Sequence, residues 1–420
     1  MKLSTAVLLF LGILALVAGL PHTYDEKGSK VFRVVNTAQV ENGLEKLQHL
    51  QVNENFDFWT RPNLKAATDI FVPPHRIEEF ETYMKDNGFT YTVMIPDVGK
   101  LILQEKALNK QGPDMDWDNY QRYETILNFV DQSALSHSEI ASVEEIGRTI
   151  ENRPMIVIKI GTPVANKTKP AIFMDGGIHA REWISPALTT YFINQLVNNF
   201  TSYDDMLSQV DIYILPVANP DGYEYTHSNA SGARMWRKNR RPDVSCPGVD
   251  LNRNFGYVWG GPGTSPNKCS EIYKGTQAFS EPESTAIRNF IQRKSIEGVN
   301  WRAYFAIHSY AQMWLVPWGW TYDFPQDYED LVRFGNAGVA ALTPVHGTRY
   351  DVGSVTELLS PGAGGSDDWA KGSGFFKYSQ TVEVRDTGEY GFILPPSQIK
   401  DCALETWEAI RAIAKFLDEE

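Results

Sequence analysis

Cysteine is scarce in this chain: three residues in 420, Cys246, Cys269 and Cys402. So few exclude a scaffold built on disulfides, and the fold must rest on an apolar core, for which a 42% hydrophobic content suffices. Basic charge is also short. Lys and Arg number 39 against 52 Asp and Glu, a net charge of −13, which argues against a nucleic-acid surface and reads mainly as solubility. Internal repeats and low-complexity segments are missing, as are the G-x-S-x-G, G-x-G-x-x-G and P-loop stretches. Those absences disfavour a serine hydrolase of the nucleophile-elbow type and the common nucleotide-binding folds. Only one run is apolar enough to suggest a membrane segment, and it opens the chain.

That run, "MKLSTAVLLFLGILALVAGLPH", places one lysine before an apolar stretch and small residues near Ala18 and Gly19. It predicts a secretory signal peptide over 1–20. A signal anchor is the rival, but the run is short for a span and lacks a basic flank on its far side. Secretion permits disulfides. Cys246 and Cys269 share one Gly/Pro-rich stretch, where a bond closing a loop of that size would contribute roughly 3 kcal/mol. Cys402, in a helical pattern, reads as a buried thiol. Asn166, Asn199 and Asn229 stand in N-x-[ST] triplets that can carry glycans.

Length allows two or three domains. Residues 30 to about 105 read as a small one: "KVFRVV" strand, "AQVENGLEKLQHL" helix, "FDFWT" and "ATDIFVPP" strands, "HRIEEFETYMKDNG" helix, and strand again from "YTVMI" to "KLILQ". The β-α-β-β-α-β order predicts a ferredoxin-like α+β sandwich. "EKALNKQGPDMD" follows as an exposed connector, with Lys106 and Lys110 open to a trypsin-like protease. From about 115 onward, buried-strand patterns ("MIVIKI", "AIFMD", "DIYILPVA", "RAYFAIHS", "SQTVEVR") are joined by helical ones ("ISPALTTYFINQLVNNF", "QDYEDLVRFGNAGVAAL", "SQIKDCALETWEAIRAIAKFL"). This predicts one large α/β domain with a mixed, mostly parallel sheet flanked by helices, its ligand site beyond the carboxyl ends of the strands.

"GGIHAREW" falls at such a strand end. His179 and Glu182, three apart, can close on one metal ion from a tight turn, but the pair is equally compatible with two unrelated polar residues on a loop. A catalytic zinc wants a third protein ligand. His308, ending "WRAYFAIH", is suitably placed, though alone it reads as a satisfied core histidine.

"GGIHAREWISPA", "NPDGYEYT", "RMWRKNRR", "GVDLNRNF", "IHSY", "GGSDDW" and "VEVRDTGEYGFILP" occur in that order. Together they resemble the secreted zinc metallocarboxypeptidases of the pancreatic A/B type, over the whole stretch from about 115 to 420. The preceding segment is similar to that family's activation propeptide. The resemblance implies a signal peptide at 1–20, a propeptide at 21–110 and a catalytic domain at 111–420. It further implies a zymogen of a secreted, extracellular, monomeric exopeptidase. Such an enzyme acts on peptide or protein C-termini, is activated by a trypsin-like protease, and has neither nucleic acid nor membrane as partner.

Roles follow by the same resemblance. His179, Glu182 and His308 bind one zinc ion, and Asp250 orients His179. Glu383 is the general base. Arg237 stabilises the oxyanion, and Arg253 with Asn252 clamps the substrate's terminal carboxylate, as a planar guanidinium can. Arg181 lies along the outer groove, and Tyr310 lines the site. Asp367 stands where B-type enzymes, which remove C-terminal Lys or Arg, carry the aspartate of the specificity pocket; Cys246 and Cys269 form the family's disulfide. Without the family, "RMWRKNRR" is a solvated basic run, Glu383 an ion-pair partner for Arg385 or a nearby Lys, Asp250 a cap or turn residue, and Asp367 an outward or turn-capping residue with Asp368 structural. Two alternatives stand beside the B-type reading: an A-type preference for apolar residues, and a non-catalytic peptide-binding relative. One departure is plain. Ser360 stands where the family has a mobile tyrosine over the bound carboxylate, and Gly319 in "VPWGW" is A-like.

Overall fold

The computed structural model describes residues 26–110, 112–165 and 168–419; the expected signal peptide and Asn166 lie outside them. Asn199 and Asn229 are exposed. Among the described residues no helix is long and apolar enough to cross a membrane.

The first sheet holds β1 (Lys30–Val34), β2 (Asp57–Phe58), β3 (Thr68–Val72) and β4 (Tyr91–Ile95). Its order is β2-β3-β1-β4 and all its pairings are antiparallel. Helices Gly43–Val52 and Ile77–Asp86 cover one face, giving the ferredoxin-like arrangement, and bury Phe32, Ile70, Leu47 and Phe80 between them. One expectation fails here. "KLILQ" is not strand but part of helix Val98–Leu108, which Asp97 caps by accepting from the Lys100 N–H at 3.0 Å. Val98, Ile102 and Glu105 are buried at helical spacing, while Leu103 is 68% exposed. The apolar run is compatible with period two, but the Asp97 cap commits it to the helix.

The second sheet has eight strands: β5 (Ala141–Arg148), β6 (Pro154–Ile160), β7 (Pro170–Gly176), β8 (Asp211–Leu215), β9 (Asn300–Ser309), β10 (Met313–Val316), β11 (Asp351–Ser354) and β12 (Tyr378–Val384). Their order is β11-β10-β12-β9-β7-β8-β6-β5. The central four, β12-β9-β7-β8, run parallel, and antiparallel pairings join β12 to β10 and β8 to β6. Parallel strands are covered on both faces, so β7 reads as an unbroken apolar run. Its alternation is sorted by the two cores. Ile172 and Met174 face the helices Ile184–Asn198 and Ile399–Glu419; Ala171 and Phe173 face helix Pro282–Ile296 through Phe290. Each core phenylalanine so buried contributes about 2 kcal/mol.

Cys246 and Cys269 are bonded, and Cys402 is a buried free thiol in the last helix, where burial pushes its pKa up to about 12.

Two buried ion pairs tie the first 110 residues to the rest of the chain. Asp57 takes both terminal nitrogens of Arg181, at 2.6 and 3.0 Å, and Glu105 takes Arg234 at 2.6 and 2.8 Å. Removing one partner of such a pair strands the other charge, at about 3–5 kcal/mol. Glu105 is therefore no part of an exposed connector.

Candidate active site

The order β12-β9-β7 sets three strand ends side by side. β7 ends at Gly176 and turns through Gly177, whose φ of 66° and close neighbours, Pro186 Cγ at 2.9 Å from an added Cβ, leave no room for another residue. The turn delivers His179 and Glu182, closed by the Glu182 N–H donating to His179 O at 3.2 Å. His308 lies on the adjacent β9, and on β12 Glu383 is its register partner.

Glu182 Oε1 is 2.7 Å from His179 Nδ1, and Oε2 is 3.1 Å from His308 Nδ1. The two Nδ1 atoms are 3.2 Å apart. Nitrogens facing one another across a carboxylate are what a divalent cation needs, and tetrahedral bonds of about 2 Å span such separations. His179 Nε2 lies 3.3 Å from Asp250 Oδ1, which favours the proton on Nε2 and frees Nδ1 as a ligand. The donor set fits zinc.

Electrostatics around this cluster are strongly biased. Burial would raise Asp250, but Arg237 and Arg253 hold it well below the carboxylate range. Arg237 bonds Asp250 Oδ2 at 2.9 and 3.1 Å and approaches Glu182 at 4.0 Å. Burial pushes Glu383 up to about 7, against the pull of His308. Arg385, one of its expected rival partners, pairs instead with Glu405 at 2.7 Å.

One cleft is lined by His179, Glu182, His308, Glu383, Arg237 and Asp250's neighbour Asn252, with Arg253, Tyr310 and Asp367 further along it. Arg253 is anchored by donating to Gly263 O at 2.9 Å and Asn252 O at 2.8 Å, and Asn252 Oδ1 accepts from the Ser366 N–H at 2.9 Å. Asp368 accepts from the Gly319 N–H through both oxygens, at 2.9 and 3.0 Å. The two aspartates thus differ: Asp367 lines the cleft, while Asp368 holds the Gly319 turn.

Other expected residues are engaged differently. Arg181 is fully buried beneath Asp57 and does not line the cleft. The Tyr310 hydroxyl donates to Asp69 of the small domain at 2.8 Å. "RMWRKNRR" is not a solvated run, since Arg234 and Lys238 are buried; the Lys238 ammonium donates to Lys268 O at 2.8 Å. Tyr350, ten residues upstream of Ser360, is in the main core beside Cys402.

Sequence reasoning missed the cleft residues Trp59, Arg61 and Thr381. The first two sit in "FDFWTRP", which reads simply as a strand and a stop. Their sole local signal is a tryptophan and an arginine beside a proline.

The family described as zinc carboxypeptidase matches residues 126–409, and that described as carboxypeptidase activation peptide matches 36–105. The chain is 46% identical over 308 residues to a carboxypeptidase B of Astacus astacus, covering 73% of this chain and 99% of that one. It is 37% identical over 420 residues to a carboxypeptidase B of Rattus norvegicus, covering 97% and 99%. The crystal structure of carboxypeptidase A from Helicoverpa armigera matches with a TM-score of 0.85 at 29% identity, covering 94% of this chain and 98% of that one. With a catalytic and an activation segment both matched, and a cleft whose donors fit zinc, the chain belongs to the zinc carboxypeptidases, as a zymogen of the A/B type.

Proposed function

We propose that the activated chain removes C-terminal Lys or Arg from peptides and proteins, using one zinc ion held by His179, Glu182 and His308. The observation that carries the basic preference is the division of labour in "GGSDDW": Asp368 is engaged by Gly319, and Asp367 lines the cleft. A buried carboxylate facing a substrate pocket is costly until a cation joins it.

Zinc, when bound there, supplies Lewis-acid activation of water and of the scissile carbonyl. The chain's own residues do the rest. Glu383, ionising near neutrality, takes the proton of the attacking water and passes it to the leaving amine. Arg237, beside Glu182 and held by Asp250, faces the charge that develops on the carbonyl oxygen. Arg253 and Asn252 receive the substrate's carboxylate, which confines cleavage to the last residue. Asp250 keeps His179 in the ligating tautomer.

The same reading assigns 1–20 to a signal peptide, 21–110 to the activation segment and 111–420 to the catalytic domain of a secreted, extracellular monomer. Arg181 is an outer-groove residue and Tyr310 a substrate contact only once the segment leaves, since Asp57 and Asp69 hold them in the zymogen. Lys106 lies within helix Val98–Leu108, whereas Lys110 is exposed beyond its end. A protease needs extended backbone, so trypsin should cut after Lys110. Lys110→Gln is expected to slow activation by trypsin more than tenfold and Lys106→Gln to leave it unchanged; fragment masses check this, and the reverse pattern would move the site into the helix.

The deciding assay uses trypsin-treated protein with blocked dipeptides ending in Arg or Phe, with and without a chelator. Release of Arg, lost on zinc removal and restored by zinc, is expected. The A-type reading, favoured by Gly319 and by the similarity to a carboxypeptidase A, predicts Phe instead.

A further inference from the structure

One charged side chain in the cleft comes from the activation segment. Arg61 follows β2 and shares the cleft with Asp367, Glu383 and Arg253. Its Nη1 donates to Ser360 O at 3.3 Å. A Cβ added at Gly362 would meet Arg61 Nη1 at 2.7 Å and Cζ at 2.8 Å, and Arg253 Nη2 at 3.1 Å. The guanidinium therefore packs against Gly362, on the loop that leads to Asp367, with the proposed carboxylate clamp at its side. Pro62 restricts Arg61 to extended backbone, so the side chain is offered from a stiff strand end.

Two guanidiniums this close are unfavourable unless a carboxylate compensates. Burial lowers the Arg61 pKa, and Asp367 is the charge that most opposes this, ahead of Glu383. Arg253 is pushed down to about 9 by burial and then by Arg61. Arg61 thus sits among the charges of the pocket, beside the clamp. It is not needed as an anchor for the segment, because the pairs Asp57–Arg181 and Glu105–Arg234 and the bond from Tyr310 to Asp69 do that elsewhere.

We propose that Arg61 is an internal pseudo-substrate: the activation segment carries its own basic side chain to the Asp367 pocket and closes it against C-terminal Lys and Arg. This rests on the basic-pocket reading above and adds the means by which the uncut chain excludes its substrates.

The test is binding of methylguanidinium, a small cation that carries no peptide bond, followed by saturation-transfer NMR on the zinc-loaded protein, both uncut and trypsin-activated. Activated wild type should bind it. Uncut wild type and uncut Arg61→Lys should bind about tenfold more weakly or not at all. Uncut Arg61→Ala should regain binding, and Arg61→Ala with Asp367→Asn should lose it again. Uncut Arg61→Ala as closed as wild type, or uncut wild type as open as the activated enzyme, would overturn the proposal while leaving the pocket reading intact. Activated wild type that hydrolyses peptides yet ignores methylguanidinium would overturn both. Arg61→Lys keeps the charge and guards against a variant that merely misfolds.

Discussion

Glu383→Gln, activated by trypsin, is expected to retain as much zinc as the wild-type chain while turnover falls about 10²–10⁴-fold. Three features set this expectation. Glu383 is the register partner of His308 across two parallel strands, so the amide will occupy the same place without disturbing the ligands. Its carboxyl is pushed up to about 7 by burial, which lets it gain and lose a proton near neutral pH; the amide can do neither. Arg385, the cation nearest in sequence, is engaged by Glu405, so the substitution strands no ion pair. The loss should fall on kcat with KM little changed, because a base acts in the transition state. Zinc analysis and steady-state kinetics on one preparation check it, and near-normal turnover would remove Glu383 from the base role.

Asp367→Ile should move preference from C-terminal Arg toward apolar residues, lowering the ratio of kcat/KM for Arg over Phe by about 10²–10³-fold. Loss of one partner from a desolvated charge pair costs about 2–5 kcal/mol, more than the gain from one apolar contact. The variant keeps zinc and base, so hydrolysis itself should persist. Burial pushes the neighbouring Asp368 well above its ordinary pKa, with Asp367 adding to it. Removing Asp367 therefore relieves that repulsion, while in the uncut chain it also takes away the carboxylate that faces Arg61. An unchanged ratio would place the selecting charge elsewhere.

Much of the architecture was legible because its signals are local. Buried parallel strands read as apolar runs, and those assigned from the sequence at "MIVIKI", "AIFMD", "DIYILPVA", "RAYFAIHS" and "SQTVEVR" are strands β6, β7, β8, β9 and β12. "KLILQ" was misread because an apolar run of that length has no period of its own, and the Asp97 cap three residues earlier decided it. Arg234 and Lys238 were misread because charge patterning says nothing of what lies above a segment. Each is buried, the one by Glu105 and the Phe392 carbonyl and the other by backbone carbonyls.

The sequence by itself determined which residue types stand at the strand ends: two histidines and a glutamate in "GGIHARE" and "IHSY", a second glutamate in "TVEVRD", and two adjacent aspartates in "GGSDDW". It determined five of the eight strands of the large sheet and the elements of the small one up to β4, since turns, caps and periodicity are short-range. Only the tertiary structure decided which of the two aspartates faces the cleft, because that depends on whether the Gly319 N–H, 49 residues from Asp368, is within reach. It alone decided, too, that Asp57 and Asp69 of the small domain meet Arg181 and Tyr310, and that Arg61 lines the same cleft as Asp367. Such contacts arise from packing one sheet on another, and no spacing along the chain encodes them.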